Sequence, residues 1–130
     1  MSHKLKLAPA VKNLAKRESQ SALDEVDGLS AVVVATIDGF DVASAMRTGE
    51  AARVAAMASS ISAISQVVSQ EASLGRNKSV TIDTDDGFAI VYSVHRKDDA
   101  LVVIAIAKGG AILAQVNYRL ASLARTLEEA

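Results

Sequence analysis

The sequence has no cysteine, which excludes disulfides, thiolate zinc sites and thiol nucleophiles together. Aromatic residues are nearly as scarce, with two Phe, two Tyr and no Trp. Half of the residues are hydrophobic and 24 of the 130 are Ala, so the core must be assembled from Val, Ile, Leu and Ala. Neither sign of charge prevails: 14 Lys and Arg meet 15 Asp and Glu, interspersed along the chain, for a net charge of −1. That balance supplies no sequence-independent attraction to nucleic acid or to an anionic membrane, and neither is expected as a partner.

Long apolar runs are missing too. The N-terminus reads Met-Ser-His-Lys-Leu-Lys-Leu-Ala-Pro and lacks the roughly 7–15-residue apolar stretch of a secretory signal, so a cytoplasmic location is expected. Residues 54–70 carry no charge, but five Ser and two Gln leave them short of the roughly 20 apolar residues that cross a bilayer. No membrane insertion is expected.

A chain of 130 residues fits one domain, spanning 1–130, punctuated by seven glycines. Pro9 suits a first helical turn, where its missing N–H needs no partner, and predicts a helix over Pro9–Val26. Its apolar stripe, Leu7, Val11, Leu14 and Ala22, is interrupted by Glu18. The apolar, β-branched run Ala31–Ile37, then Asp38-Gly39, then Phe40–Ala45 predicts an antiparallel hairpin closed by a type I′ turn. Gly49-Glu50 opens a long helix that Gly75 closes, with Val54, Met57, Ile61, Ile64 and Val68 at helical spacing as its core stripe. A second hairpin follows, Ser79–Thr84 turning at Asp86-Gly87 into Phe88–His95, with Phe88, Ile90, Tyr92 and Val94 on one side. After the charged turn Arg96–Asp99, the fully apolar run Leu101–Ala107 predicts a central strand covered on both faces. Lys108-Gly109-Gly110 releases a last helix, with Ile112, Leu113, Val116, Leu120, Leu123 and Leu127 as its stripe and Arg119, Ser122 and Arg125 opposite. The order α-β-β-α-β-β-β-α, with the first and last strands apolar on both faces, requires helices on both sides of one antiparallel sheet. The expected class is therefore α/β of the α+β kind, a three-layer sandwich.

No catalytic constellation emerges. Asp83, Asp85 and Asp86 suggest a metal, but Phe88 stands where a calcium loop needs glycine and no Glu closes the series, so a solvated turn is expected. His3 and His95 each lack an i, i+4 partner for metal binding. Lys108-Gly109-Gly110 lacks the spacing of a phosphate loop, and the helix 2 serines have no SxxK spacing and no base. Neither a cofactor nor an enzymatic activity is expected.

Two features suggest contact with a partner. Opposite Met57 and Ile61, a helical projection of helix 2 places Ala55, Ala56, Ser59, Ser62, Ala63, Gln66 and Gln70, all small or uncharged, where a solvated face normally carries Lys, Glu or Arg. The strand Ser79-Val80-Thr81-Ile82-Asp83-Thr84 is too polar at Ser79, Thr81 and Asp83 for a sheet centre and reads as an edge strand, blunted only by Lys78 and Asp83. Pairing that edge with its own copy about a two-fold axis brings the two second helices side by side.

The ordered set of Val26-Asp-Gly28, Ile37-Asp-Gly-Phe-Asp-Val-Ala-Ser44, the long Ala/Ser helix, Gly87-Phe-Ala-Ile-Val-Tyr92 and Leu101–Ala107 before an amphipathic helix resembles the roadblock/dynein light chain family. The likeness covers about residues 20–127 and includes bacterial members similar to mutual gliding-motility protein B. It implies a profilin-like sandwich of strand order 2-1-5-4-3, with helix 2 on one face and helices 1 and 3 on the other. It also implies a homodimer joined through strand 3 and helix 2 and association with a Ras-like small GTPase; in a GTPase-binding dimer, Arg53 and the exposed face of helix 2 are expected among the contacts. Three roles follow: a regulator that modulates GTP hydrolysis, a nucleotide-independent scaffold of a larger assembly, or a small-ligand sensor.

Overall fold

The computed structural model describes residues 7–97 and 99–130. Helices α1 (Pro9–Glu25), α2 (Ala51–Glu71) and α3 (Leu113–Glu129) frame strands β1 (Leu29–Thr36), β2 (Asp41–Met46), β3 (Ser79–Thr84), β4 (Gly87–Val94) and β5 (Leu101–Lys108). The strands form one antiparallel sheet in the order β2-β1-β5-β4-β3, with β5 central as its two-sided apolar run requires. α1 and α3 share one face, where Val11, Leu23, Leu120 and Leu127 meet Val32, Val34, Ile90 and Val103. α2 covers the other face alone, over Val33, Val91, Val102 and Ile104.

Several local expectations are corrected. The β1–β2 connection has four residues, 37–40, and only Gly39 takes positive φ, at 96°, so the type I′ turn, which needs two such residues, does not form. Gly39 instead lies against α2, where an added Cβ would sit 3.1 Å from the Ser59 hydroxyl. Ile37 leaves β1 and is exposed in the turn. On α3 the buried stripe is Val116, Leu120, Leu123, Ala124 and Leu127, because the helix begins at Leu113 and leaves Ile112 and Leu113 exposed beyond the sheet.

Glu18 and Arg119, read as an interruption and a solvated charge, belong together. Arg119 reaches from α3 to Glu18 at 3.2 Å and Glu25 at 2.9 Å on α1, with its side chain only 15% exposed. α1 accordingly seats Ala15, Ser19 and Ala22 on the sheet and leaves Leu14 half-buried. At the helix ends, Arg47 donates to the carbonyls of Leu29 and Leu23, and Arg96 donates to those of Leu127 and Ala130.

Gly87 is required by close approach: a Cβ there would lie 2.2 Å from the Ala107 carbonyl oxygen across the β4–β5 ladder. Gly109 has nothing within 4 Å. Urea unfolding should therefore show Gly87→Ala destabilised by roughly 2–4 kcal/mol and Gly109→Ala within about 0.5 kcal/mol of the parent.

A second outcome concerns acid. The Ser21 hydroxyl, which donates to Glu25 at 2.8 Å, and then the Arg119 guanidinium hold the Glu25 carboxyl below its ordinary value of 4.5. A depressed folded-state pKa contributes stability above the unfolded value that is lost as pH falls through the folded one. Glu25→Gln should thus flatten the urea midpoint below about pH 4.5 and lower it at pH 7.

Candidate interaction surface

The long middle helix determines the surface, and its orientation differs from the sequence projection. Val54, Ala55, Ala58 and Ser62 face the sheet, because large residues of β1, β4 and β5 rise from that face and only small helix residues let the axis come close. Ala55 and Ser62 are therefore buried and leave the predicted contact set. Of the expected core stripe only Val54 is buried; Ile61 is half-buried, Met57 is exposed, and Ile64 and Val68 are 66% and 56% exposed. The available signal was the run Ala55, Ala58, Ser62 at helical spacing opposite a sheet rich in Val and Ile.

The outer surface of α2 divides into three strips. Beside β3 run Met57, Ile61, Ile64 and Val68; on the crest lie Arg53, Ala56, Ser60, Ala63 and Val67; on the remaining flank Ser59 lies against Gly39, and Gln66 and Gln70 border a cleft with Arg76, Asn77 and His95. The serines add less polarity than their number suggests. Ser59 and Ser60 donate to the Ala56 carbonyl, Ser65 to that of Ser62 and Ser69 to that of Ser65, so these hydroxyl protons are spent within the helix. By length and composition alone the whole of α2 is apolar enough to cross a membrane, in contrast to the expectation for residues 54–70, and only 22% of its most apolar window is buried.

β3 is an edge strand, as its polar alternation indicates. Its register with β4 is unbroken from Ser79–Tyr92 to Thr84–Gly87. Val80 and Ile82 project toward α2, while Ser79, Thr81 and Asp83 project to the opposite face and are exposed. β2, the other edge, is interrupted: Ala43 pairs with Val34 and Asp41 with Ala35, leaving Val42 as a bulge. Bulges protect edges from pairing with another chain, so β3 is the edge open to it.

Between α2 and β3 lie two apolar hollows on either side of Ile61. One, about 420 Å³, is bordered by Met57, Ile82 and Ile104; the other, about 430 Å³, by Ile64, Val68 and Val80. A polar cleft of about 330 Å³ near the start of α2 contains Thr48, Glu50, Arg53 and Lys108.

The remaining sequence candidates disperse. Asp83, Asp85 and Asp86 are exposed, and among the described residues no three His, Asp or Glu side chains converge to hold a metal. His95 lies 3.1 Å from the Asn77 carbonyl through its Nε2, and its backbone N–H donates to Glu128. His3 lies outside the described residues. Gly109 and Gly110 precede α3 by an intervening Ala111-Ile112, so they do not form its first turn.

Solved structures share this architecture. Myxococcus xanthus MglB superposes with a TM-score of 0.83 at 12% identity, over 96% of this chain and 92% of that one. The gliding protein MglB of Thermus thermophilus gives 0.81 at 19% identity, over the whole of both chains. An MglB described in a tetrameric arrangement gives 0.84 at 16% identity, over 99% of this chain and 96% of that one. No curated protein sequence matches the chain. The family model of the Roadblock/LC7 domain matches residues 16–105, more than half of the sequence, and the chain therefore belongs to the Roadblock/LC7 family.

Proposed function

We propose that this protein is a homodimeric cytoplasmic regulatory module that binds a Ras-like small GTPase and modulates its GTP hydrolysis without a catalytic site of its own. The observation that carries the reading is the uncovered apolar flank of α2 beside β3, an edge strand of unbroken register blunted only by Lys78 and Asp83. Joining two copies along β3 continues the sheet and packs the two α2 flanks against each other, satisfying edge donors and covering Ile64 and Val68 in one step. The crests of both α2 helices then face outward as one platform, with Arg53 at its rim.

Family membership and the likeness to MglB structures support a GTPase as the occupant of that platform. The uncharged middle of the crest, Ala56, Ser60 and Ala63, favours a second reading in which the dimer binds its partner as a scaffold and leaves hydrolysis unchanged. The tetrameric arrangement of one similar MglB is consistent with such an assembly.

Light scattering at micromolar concentration should return a dimer. Ile64→Glu should return a monomer whose own stability changes by no more than about 0.5 kcal/mol, since that side chain is exposed in the single chain. Pull-down of Ras-like proteins loaded with GTP or GDP analogues should capture a GTPase with the parent protein, and Arg53→Ala should weaken capture roughly tenfold. Accelerated hydrolysis selects the regulator, unchanged hydrolysis selects the scaffold, and indifference of every GTPase tested would remove both GTPase readings.

A further inference from the structure

The alternation of β3 restricts how two copies can meet. Val80 and Ile82 face α2, whereas Ser79, Thr81 and Asp83 face away. Residues directly opposite in an antiparallel pair share a face, so the two-fold axis must pass through a residue and not between two. An axis at Thr81 sets Val80 against Ile82 of the second copy, twice, and so joins all four apolar side chains; an axis at Ile82 sets Val80 against Thr84 instead.

Charge points the same way. Exposed Arg76 and Lys78 lead into the strand, and exposed Asp83, Asp85 and Asp86 end and follow it. Antiparallel self-pairing lays the basic entrance of each copy along the acidic exit of the other, and parallel pairing would set like charges together.

The end of α2 supplies the last observation. Ser73 adopts φ 56°, the left-handed conformation usually left to glycine, and two bonds, Leu74 N–H to the Ser69 carbonyl and Ser73 N–H to that of Gln70, close a Schellman turn. The turn leaves Leu74 71% exposed. α2 runs antiparallel to β3, with Met57 beside Ile82 and Thr84 and with Val68 beside Ser79 and Val80. Leu74 therefore stands past the start of β3. Across a Thr81 axis that position meets the far end of the second copy's β3, where the hollow of about 420 Å³ opens beside Met57 and Ile82.

We infer that the dimer is registered on Thr81 and that Leu74 of each copy fills the apolar hollow beside Met57 and Ile82 of the other. Each copy offers one leucine and one hollow, as a two-fold contact between identical surfaces requires. The hollow is complete only in the assembled pair. This inference rests on the β3-mediated dimer proposed above.

The absence of cysteine makes the test clean. Thr81→Cys should form a covalent dimer on mild oxidation, because the axis places the residue against itself. Leu74→Cys combined with Met57→Cys should do the same. At about 1.5 Å of rise per residue, helical positions 57 and 71 lie roughly 21 Å apart, so no bond can form within one chain. Leu74→Ala should raise the dimer dissociation constant roughly tenfold without moving the urea midpoint of the monomer. A dimer linked by Thr81→Cys but not by the Leu74/Met57 pair overturns the exchange alone. A dimer that Thr81→Cys fails to link overturns the register. A monomer at every concentration overturns the dimer itself and this inference with it.

Discussion

One helix is too narrow for one face of a five-stranded sheet, and the exposed features of this protein follow from that mismatch. Strands about 4.8 Å apart make a sheet of five roughly 19 Å across, whereas a helix with its side chains spans about 10–12 Å. On one face α1 and α3 together cover β2, β1, β5 and β4, where the residues beneath them are almost fully buried, and only the polar side of β3 lies beyond them. On the other face α2 works alone. It lies over β1, β5 and β4 through Ala55 and Ala58, and the strip toward β3 is left with two hollows and a row of aliphatic side chains. Among the described residues no further element closes that strip.

The two sheet edges are treated differently, and the difference gives the open strip a direction. β2 carries a bulge at Val42, and Arg47 at its end is tied to backbone carbonyls of α1 and β1. β3 keeps six residues in unbroken register and presents Val80 and Ile82 on the side of the uncovered strip. An edge that both exposes backbone groups and borders apolar surface gains twice from one partner strand. With β2 blunted, the proposed pairing through β3 would close after two copies and not propagate into a filament.

Much of this architecture was legible in the sequence because it depends on period and length. The alternation in Ser79–Thr84 marked an edge strand, and the two-sided apolar run Leu101–Ala107 marked the central one. What periodicity left undetermined was which face of α2 looks inward. Both faces are nearly charge-free, so apolar spacing selected Met57, Ile61, Ile64 and Val68, the larger side chains. Packing reversed the choice, since a sheet face already filled by Val33, Val91, Val102 and Ile104 accepts small residues and holds larger ones off. Glu18 and Arg119 were misread for a related reason: their pairing joins two helices about 100 residues apart in sequence, a relation that no local pattern carries.

The same mismatch bears on what kind of function the fold can support. Among the described residues Glu18 and Glu25 join α1 to α3, Asp83, Asp85 and Asp86 lie exposed around the β3–β4 turn, and Glu50 stands with Arg53 and Lys108 in the cleft at the start of α2. What the chain holds in a defined geometry is surface: a nearly uncharged crest, an apolar flank and a regular strand edge. If two flanks close on each other, the paired crests become a site that a single chain does not possess. A partner that binds only the paired form must then favour association by as much as association favours its binding, since the coupling is reciprocal. Regulation by concentration and by partner would thus share one physical origin, the half of a sheet face that α2 is too narrow to cover.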